Sequence, residues 1–172
     1  WMDLTCYGSS FYETPNLDRL ASEGIRFTDA YASCPVCSPT RASLLTGKSP
    51  ARVGMTQAVG GRFTGALCDV PYLDYVPESE VALPRVLGEA GYQCWHVGKW
   101  HLGEGRFLPP LHGFDVNVGG CGWGLPKKGY FSPYQIPGFE DGPEGEYLTD
   151  RLTDEAIALI EKRDRERPFF LN

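Results

Sequence analysis

No uninterrupted apolar run in this chain approaches the ~18 residues needed for a membrane-spanning helix. No internal repeat or low-complexity tract appears either. Positive charge is in deficit: 16 Lys and Arg against 22 Asp and Glu leave a formal charge of −6. That balance argues against non-specific nucleic-acid binding, which depends on neutralising phosphates. It still allows an anionic substrate, because a site can be locally basic inside an acidic protein. Cysteine is too sparse for a disulfide scaffold, at six in 172 residues. No signal peptide is visible.

What is present fits an ordinary globular protein. Hydrophobic residues make up 42% and charged residues 22%. A length of 172 residues is about one domain's worth. The chain opens abruptly at Trp1 and ends on Phe169-Phe170-Leu171-Asn172, which reads as an unfinished buried strand. The chain is therefore expected to be a fragment.

Taken in order, the chain alternates helix and strand signals, the grammar of an α/β protein. Thr14 should cap a helix opened by Pro15, with Leu17, Leu20 and Ala21 as its apolar stripe and Gly24 as its end. Ile25-Arg26-Phe27-Thr28 alternates like a short strand. Residues 48–82 are irregular, and such a stretch either lines a pocket mouth or forms a solvated excursion. Residues 84–90 read as a short helix with Val86 and Leu87 inward, stopped by Gly91. Residues 92–97 read as a buried strand. Residues 104–146 are loop-rich. Thr149 or Thr153 should cap a last helix with Leu152, Ala156, Leu159 and Ile160 as its buried stripe, followed by a strand from Pro168.

The segment that carries chemistry is Cys34-Pro35-Val36-Cys37-Ser38-Pro39-Thr40-Arg41, running on to Gly47. Ser38 is a good N-cap, Pro39 suits the first helical position, and Gly47 can end the helix. Cys37 would then sit at a helix N-terminus, where free N–H groups and the macrodipole favour negative charge. Arg41, one turn on, can reach back to the same spot. A nucleophile, a fixed cation and an anion-friendly helix end would converge there. Cys34 and Cys37 also form a C-x-x-C, which could be a redox or zinc half-site. Cys6, Cys68, Cys94 and Cys121 are all isolated, so no second ligand pair supports that reading.

The second such segment is Gly98-Lys99-Trp100-His101-Leu102-Gly103. It lies beyond the end of the 92–97 strand, where sites of open α/β sheets cluster. If it stays extended, Lys99 and His101 point to one face and Trp100 packs on the other. His96 reads as structural, His112 as a possible brace for a nearby loop, and Lys48 and Arg52 as surface cations. Trp123 and Tyr130 either stack on a sugar ring or plug the underside of a long loop. Glu140, Asp141, Glu144 and Glu146 read as a solvated acidic run, since they do not match a calcium-loop ligand order.

Cys37-Ser38-Pro39-Thr40-Arg41 resembles the C-x-P-x-R signature of the type I sulfatases, whose cysteine is oxidised to formylglycine. Residues 91–103, with Gly98-Lys99-Trp100-His101-Leu102-Gly103 at their core, resemble that family's second signature. Thr14-Pro15-Asn16-Leu17-Asp18-Arg19-Leu20 and His112-Gly113-Phe114-Asp115 also look like sulfatase segments, in the right order. The resemblance runs through essentially the whole chain. It implies an alkaline-phosphatase-like α/β sandwich with a mostly parallel central sheet. Residues 1–172 would be part of the N-terminal catalytic domain.

The resemblance also implies roles. Cys37, as formylglycine, would be the nucleophile and a metal ligand. A plain thiol would give an adduct with no easy exit, whereas a hydrated aldehyde offers one hydroxyl to attack sulfur and a second to expel sulfate from the sulfo-enzyme intermediate. Arg41 would steady the diol, Lys99 would contact a sulfate oxygen, and His101 would take the diol's proton. The implied cofactor is Ca2+. The implied partners are a sulfated small-molecule or carbohydrate substrate and a formylglycine-generating maturation enzyme, with neither nucleic acid nor membrane. The implied location is exported (periplasmic or extracellular) or lysosomal.

The sequence departs from the family pattern in its metal ligands. The expected Asp pair would precede a stretch like Trp1-Met2-Asp3-Leu4, yet no Asp-Asp dipeptide occurs anywhere. A downstream Asp-Asn or Asp-His pair is also missing. The 172-residue chain alone is therefore expected to bind calcium poorly and to lack activity. Two other readings stay open: a phosphoester or phosphonate hydrolase of the same superfamily, and a non-catalytic module that binds sulfated glycans.

Overall fold

A computed structural model describes residues 2–61, 65–67 and 70–172. Trp1 and Cys68 lie outside the described residues. The chain divides into two compact units, residues 1–32 and 33–172.

In the first unit a 3-10 turn, Thr5–Tyr7, precedes helix α1, Pro15–Glu23. Thr14 is the N-cap position, but its hydroxyl meets Asp18 Oδ1 at 3.2 Å and accepts the Thr5 N–H at 3.0 Å instead of capping the first turn. Asp18 also accepts the Cys6 N–H at 2.8 Å, which ties the turn to the helix. The expected stripe is not buried, with Leu17 and Leu20 both exposed. The strand expected at residues 25–28 is absent: Ile25 and Phe27 are exposed, and no described strand pairs with them. Alternation alone cannot hold a strand without a ladder of backbone hydrogen bonds.

The second unit is built on three parallel strands, β1 (Gln93–Val97), β2 (Val116–Val118) and β3 (Phe169–Leu171), in the order β2-β1-β3. Trp95 pairs with Val116 on one side and Leu171 on the other. This is the α/β arrangement with a parallel sheet that the sequence implies. The strand at 92–97 and the one after Pro168 were legible. β2 was not, because three residues with Asn117 at their centre give almost no periodic signal.

Around the sheet lie α2 (Cys37–Thr46), α3 (Pro50–Val53), α4 (Leu83–Glu89) and α5 (Leu148–Lys162). Successive strand residues alternate faces, so Cys94 and Phe170 share one face. That face carries the core: Ala42, Leu45, Val53, Met55, Trp100, Leu102 and Phe114. On the other face Trp95 stacks on Phe169, whose ring lies beneath Arg163, just beyond α5. Within residues 48–82, Val53, Met55 and Val76 are buried in the core, while Leu67 and Val70 are exposed.

Three expectations for the helices change. Val86 is exposed rather than inward, while Leu87 packs on the core. The N-cap of α5 is Tyr147, not Thr149 or Thr153. Thr153 turns its hydroxyl back to the Thr149 carbonyl at 2.7 Å, the in-helix bond open to this residue type. The α5 stripe of Leu152, Ala156, Leu159 and Ile160 is only half-buried. No described helix is long and apolar enough to cross a membrane.

Candidate active site

Helix α2 starts earlier than expected. Its N-cap is Val36, in extended conformation, so Cys37 is the first helical residue and Ser38 lies within the first turn. Pro39 is tolerated there because N–H groups of the first turn have no intrahelical acceptor anyway. The Thr40 hydroxyl donates to the Cys34 carbonyl at 2.5 Å and fastens the preceding loop to the helix. At the far end Gly47 adopts the left-handed conformation, φ 67°, and its N–H reaches the Ser43 carbonyl. That half of the expectation holds, as glycine carries no Cβ penalty there.

The early start matters for Ser38. Freed from capping, its side chain is fully buried. Its Oγ accepts the Val59 N–H at 3.1 Å and lies 3.3 Å from His101 Nδ1. The same Nδ1 is 3.2 Å from Cys37 Sγ. Cys37 is half-buried and, like Cys34, a free thiol.

The segment after β1 does not stay extended. His101 has φ 55°, left-handed for a non-glycine residue. Such a conformation costs on the order of 1 kcal/mol and persists only where the surroundings impose it. Here the His101 N–H bonds to the Cys121 carbonyl at 3.1 Å, and Trp100 on the preceding position is buried with its indole N–H on the Phe107 carbonyl. The turn delivers the His101 ring to Cys37. Burial, with help from Lys99 and Arg41, lowers the His101 pKa against the opposing pull of a Val59 hydrogen bond. The ring therefore favours its neutral form, which can accept a proton.

Arg41 Nη1 donates to the Lys99 carbonyl at 2.7 Å, joining α2 to the turn after β1. Burial lowers the Arg41 pKa, while the Cys37 group opposes that shift. Cys37, Arg41 and Lys99 line one cavity of about 620 Å3, together with Cys34, Thr40 and Asn172. His101 adjoins it through Cys37 Sγ. All four residues singled out in the sequence thus converge, although they come from two segments far apart in the chain.

Beneath this turn His96 is buried, with Nε2 on the Gly98 carbonyl at 3.0 Å and Nδ1 meeting the Asn172 amide at 2.9 Å. Burial holds its pKa down at about 4. His112 is also buried, packs against the Trp100 ring and, among the described residues, finds no hydrogen-bond partner for either ring nitrogen. It braces Trp100 rather than facing the cavity.

A second cavity of about 290 Å3 adjoins Lys99 and is lined by Trp123, Tyr130 and Leu152, among others. Lys127 lies over the Trp123 ring at 4.7 Å. Both aromatics sit at the wall of this cavity. The acidic run is only partly solvated, since Glu146 accepts from Tyr134 and pairs with Arg151.

Calcium takes six to eight oxygen ligands, carboxylates among them. Among the described residues no Asp or Glu lines the cavity at Cys37. Among the described residues no group of three or more His, Cys, Asp and Glu could hold a metal ion. The residues present do not fit calcium: two cations and a neutral histidine suit an anion. An oxidised Cys37 does fit, because an oxygen in place of Sγ would keep a hydrogen-bonding partner in His101 Nδ1.

The chain resembles known proteins in both sequence and structure. The family model described as Sulfatase matches residues 1–172. Human N-acetylgalactosamine-6-sulfatase is 38% identical over 187 residues, covering 99% of this chain and 36% of the relative. Human arylsulfatase A is 36% identical over 200 residues, covering 98% and 37%. The chain thus spans about a third of the length of the curated relatives it matches. Among solved structures, Ps i-CgsB in complex with k-i-k-neocarrahexaose has TM-score 0.77 at 29% identity, over 98% of this chain and 40% of that one. BT4656 in complex with D-glucosamine-2-N,6-O-disulfate has TM-score 0.65 at 31% identity, over 99% and 30%.

Proposed function

The chain belongs to the sulfatase family, and from that premise we propose that the whole protein carrying it hydrolyses sulfate monoesters at the Cys37 cavity, on a sulfated carbohydrate. The observation that carries this reading is the contact of Cys37 Sγ with His101 Nδ1 beside the Arg41–Lys99 bond. It supports reading Cys37 as a nucleophile position, His101 beside it as a proton acceptor, and Arg41 and Lys99 as the cations of the cavity.

Oxidised to formylglycine and hydrated, residue 37 would supply the attacking hydroxyl. The chain's own groups do the rest. Arg41 and Lys99 offset the charge of the transferring oxygens, which is worth most in a partly dehydrated site. His101, held neutral, accepts a proton from residue 37. Trp123 and Tyr130 offer flat apolar faces for a sugar ring beside Lys99. Two solved relatives bear on the substrate, one in complex with k-i-k-neocarrahexaose and one with D-glucosamine-2-N,6-O-disulfate.

Residues 1–172 form part of the N-terminal catalytic domain in this reading, and carboxylates from outside them complete the calcium site. The maturation enzyme acts on Cys37, and the protein works in an exported or lysosomal setting. The test compares matched sulfate and phosphate monoesters on the whole protein, made in a host with the maturation enzyme. Release of sulfate in preference to phosphate, abolished by Cys37→Ala, is expected. Preferential phosphate release would assign the site to phosphoester hydrolysis, and release of neither would leave a binding module.

A further inference from the structure

Asn172 lines the cavity at Cys37 beside Arg41 and Lys99, yet it carries neither a charge nor a nucleophile. Its backbone is fixed in the sheet one step beyond the Trp95–Leu171 pair. Its N–H donates to the Trp95 carbonyl and its carbonyl accepts the Val97 N–H, both at 2.9 Å. Its side chain lies against His96, with 2.9 Å between Nδ2 and His96 Nδ1. A side-chain amide has a donor on one side and an acceptor on the other, so the end that meets the ring decides which end is left over.

The His96 ring settles that choice. Its Nε2 stands 3.0 Å from the Gly98 carbonyl, which can only accept, so Nε2 carries the ring proton. Burial keeps the ring neutral, which leaves Nδ1 bare. A bare nitrogen accepts, so the Asn172 NH2 must face it. The ring is also held in place. A Cβ at Gly120 would come within 2.6 Å of His96 Cδ2, closer than real side chains approach. The Trp100 and Phe114 rings meet the imidazole edge to face, with centroids at 5.2 and 5.4 Å. Asn172 Oδ1 is then turned away from His96. Among the described residues no donor reaches this oxygen, and it is not enclosed.

We propose that Asn172 is a specificity-determining residue whose amide oxygen accepts a hydroxyl of the sugar next to the sulfate ester, and that His96 is the positioning residue that holds this oxygen outward. The inference rests on the reading of the cavity as the site of sulfate-ester cleavage, and it adds what the cavity asks of the alcohol part. A sulfate group brings only acceptors, and those suit Arg41 and Lys99. A neutral acceptor beside two cations has nothing to offer the sulfate. It suits a donor on the leaving group, and a sugar carries hydroxyls on the carbons next to the ester. A substrate without that hydroxyl strands the oxygen unpaired, which is how a polar atom in a site discriminates.

The test has two arms, both on the whole protein with conversion at Cys37 checked by mass. In the first, 15N spectra of the histidine rings at pH 7.5 locate the His96 proton, its signals being identified by their loss in His96→Phe. A protonated Nε2 and a bare Nδ1 are expected. Asn172→Leu should shift Nδ1 further toward the free-nitrogen value and leave Nε2 in place. In the second arm, the sulfated monosaccharide cleaved fastest is compared with analogues in which each hydroxyl next to the ester is replaced in turn by hydrogen. In the parent one replacement should lower kcat/KM about tenfold, the value of one neutral hydrogen bond. In Asn172→Leu and Asn172→Ala that pair of substrates should differ by less than about twofold. Asn172→Asp, which keeps an acceptor on the cavity side, should retain the preference. The ratio is read within each protein, so a general loss of folding or conversion lowers both substrates alike and cancels.

A proton on His96 Nδ1 in the parent would overturn the inference, because it turns the amide NH2 to the cavity. So would a hydroxyl preference that survives both Asn172→Leu and Asn172→Ala, or a parent indifferent to every neighbouring hydroxyl. Absence of any sulfate release from the parent would instead remove the functional reading, and the ring spectra would still decide which way the amide points.

Discussion

Arg41 and Lys99 are joined by a 2.7 Å hydrogen bond from the guanidinium to the main-chain carbonyl, across 58 residues of sequence. The bond leaves the Lys99 side chain free to line the cavity while its backbone is pinned to the cysteine-bearing helix. One cation thus places the other. Both cations line the same cavity, which therefore favours an anion.

Arg41→Lys keeps a charge but not the planar reach of the guanidinium. Its expected effect is a loss of about 1–2 kcal/mol of stability, the value of a partly buried charged hydrogen bond. Sulfate release should fall at least tenfold further than that loss explains, because Lys99 and His101 sit on the segment it releases. Urea midpoints and initial rates on the same preparations check this. Equal rates in variant and parent would separate the bond from the site.

Stability should fall on acidification. The folded state holds His96 and His112 at pKa values of about 4, chiefly through burial. Both would titrate near 6.5 when unfolded. Between those values the unfolded chain binds more protons, so stability is complete above about pH 6.5 and is lost as pH falls toward 4. His112→Leu should remove part of this slope and gain about 2 kcal/mol relative to the parent at pH 5, since it also removes two unpaired buried nitrogens. Denaturation midpoints at pH 7.5, 6 and 5 measure it. A variant with the same pH slope as the parent would contradict the assignment.

How much of this was legible beforehand follows from the kind of signal each element carries. The strand at 93–97 and the helix end at Gly47 are local, written in an apolar run and a glycine, and both are where the residues put them. The convergence of Cys37, Arg41, Lys99 and His101 was implied by two family-like signatures, not by any local rule. Ser38 reads as a cap from its type and neighbours, whereas burial against His101 draws its hydroxyl elsewhere. The positive φ of His101 is likewise tertiary in origin, imposed by the Cys121 carbonyl and the buried Trp100. Residues 25–28 failed for the opposite reason, a strand-like pattern without a partner to pair with.

Calcium should leave the 172-residue chain unaffected. A ligand that binds the native state raises stability by RT ln(1 + [L]/Kd), so millimolar calcium would shift the melting temperature visibly if Kd were micromolar. No shift is expected, because the described residues lining the cavity include no carboxylate. A shift of several degrees, absent with magnesium, would show that the described residues do form a calcium site.

The mass of the Cys37 peptide, from whole protein produced with the maturation enzyme, tests the core of the account. An aldehyde at residue 37 is expected, with sulfate release in proportion to the converted fraction. Sulfate release by protein that retains the Cys37 thiol throughout would contradict it.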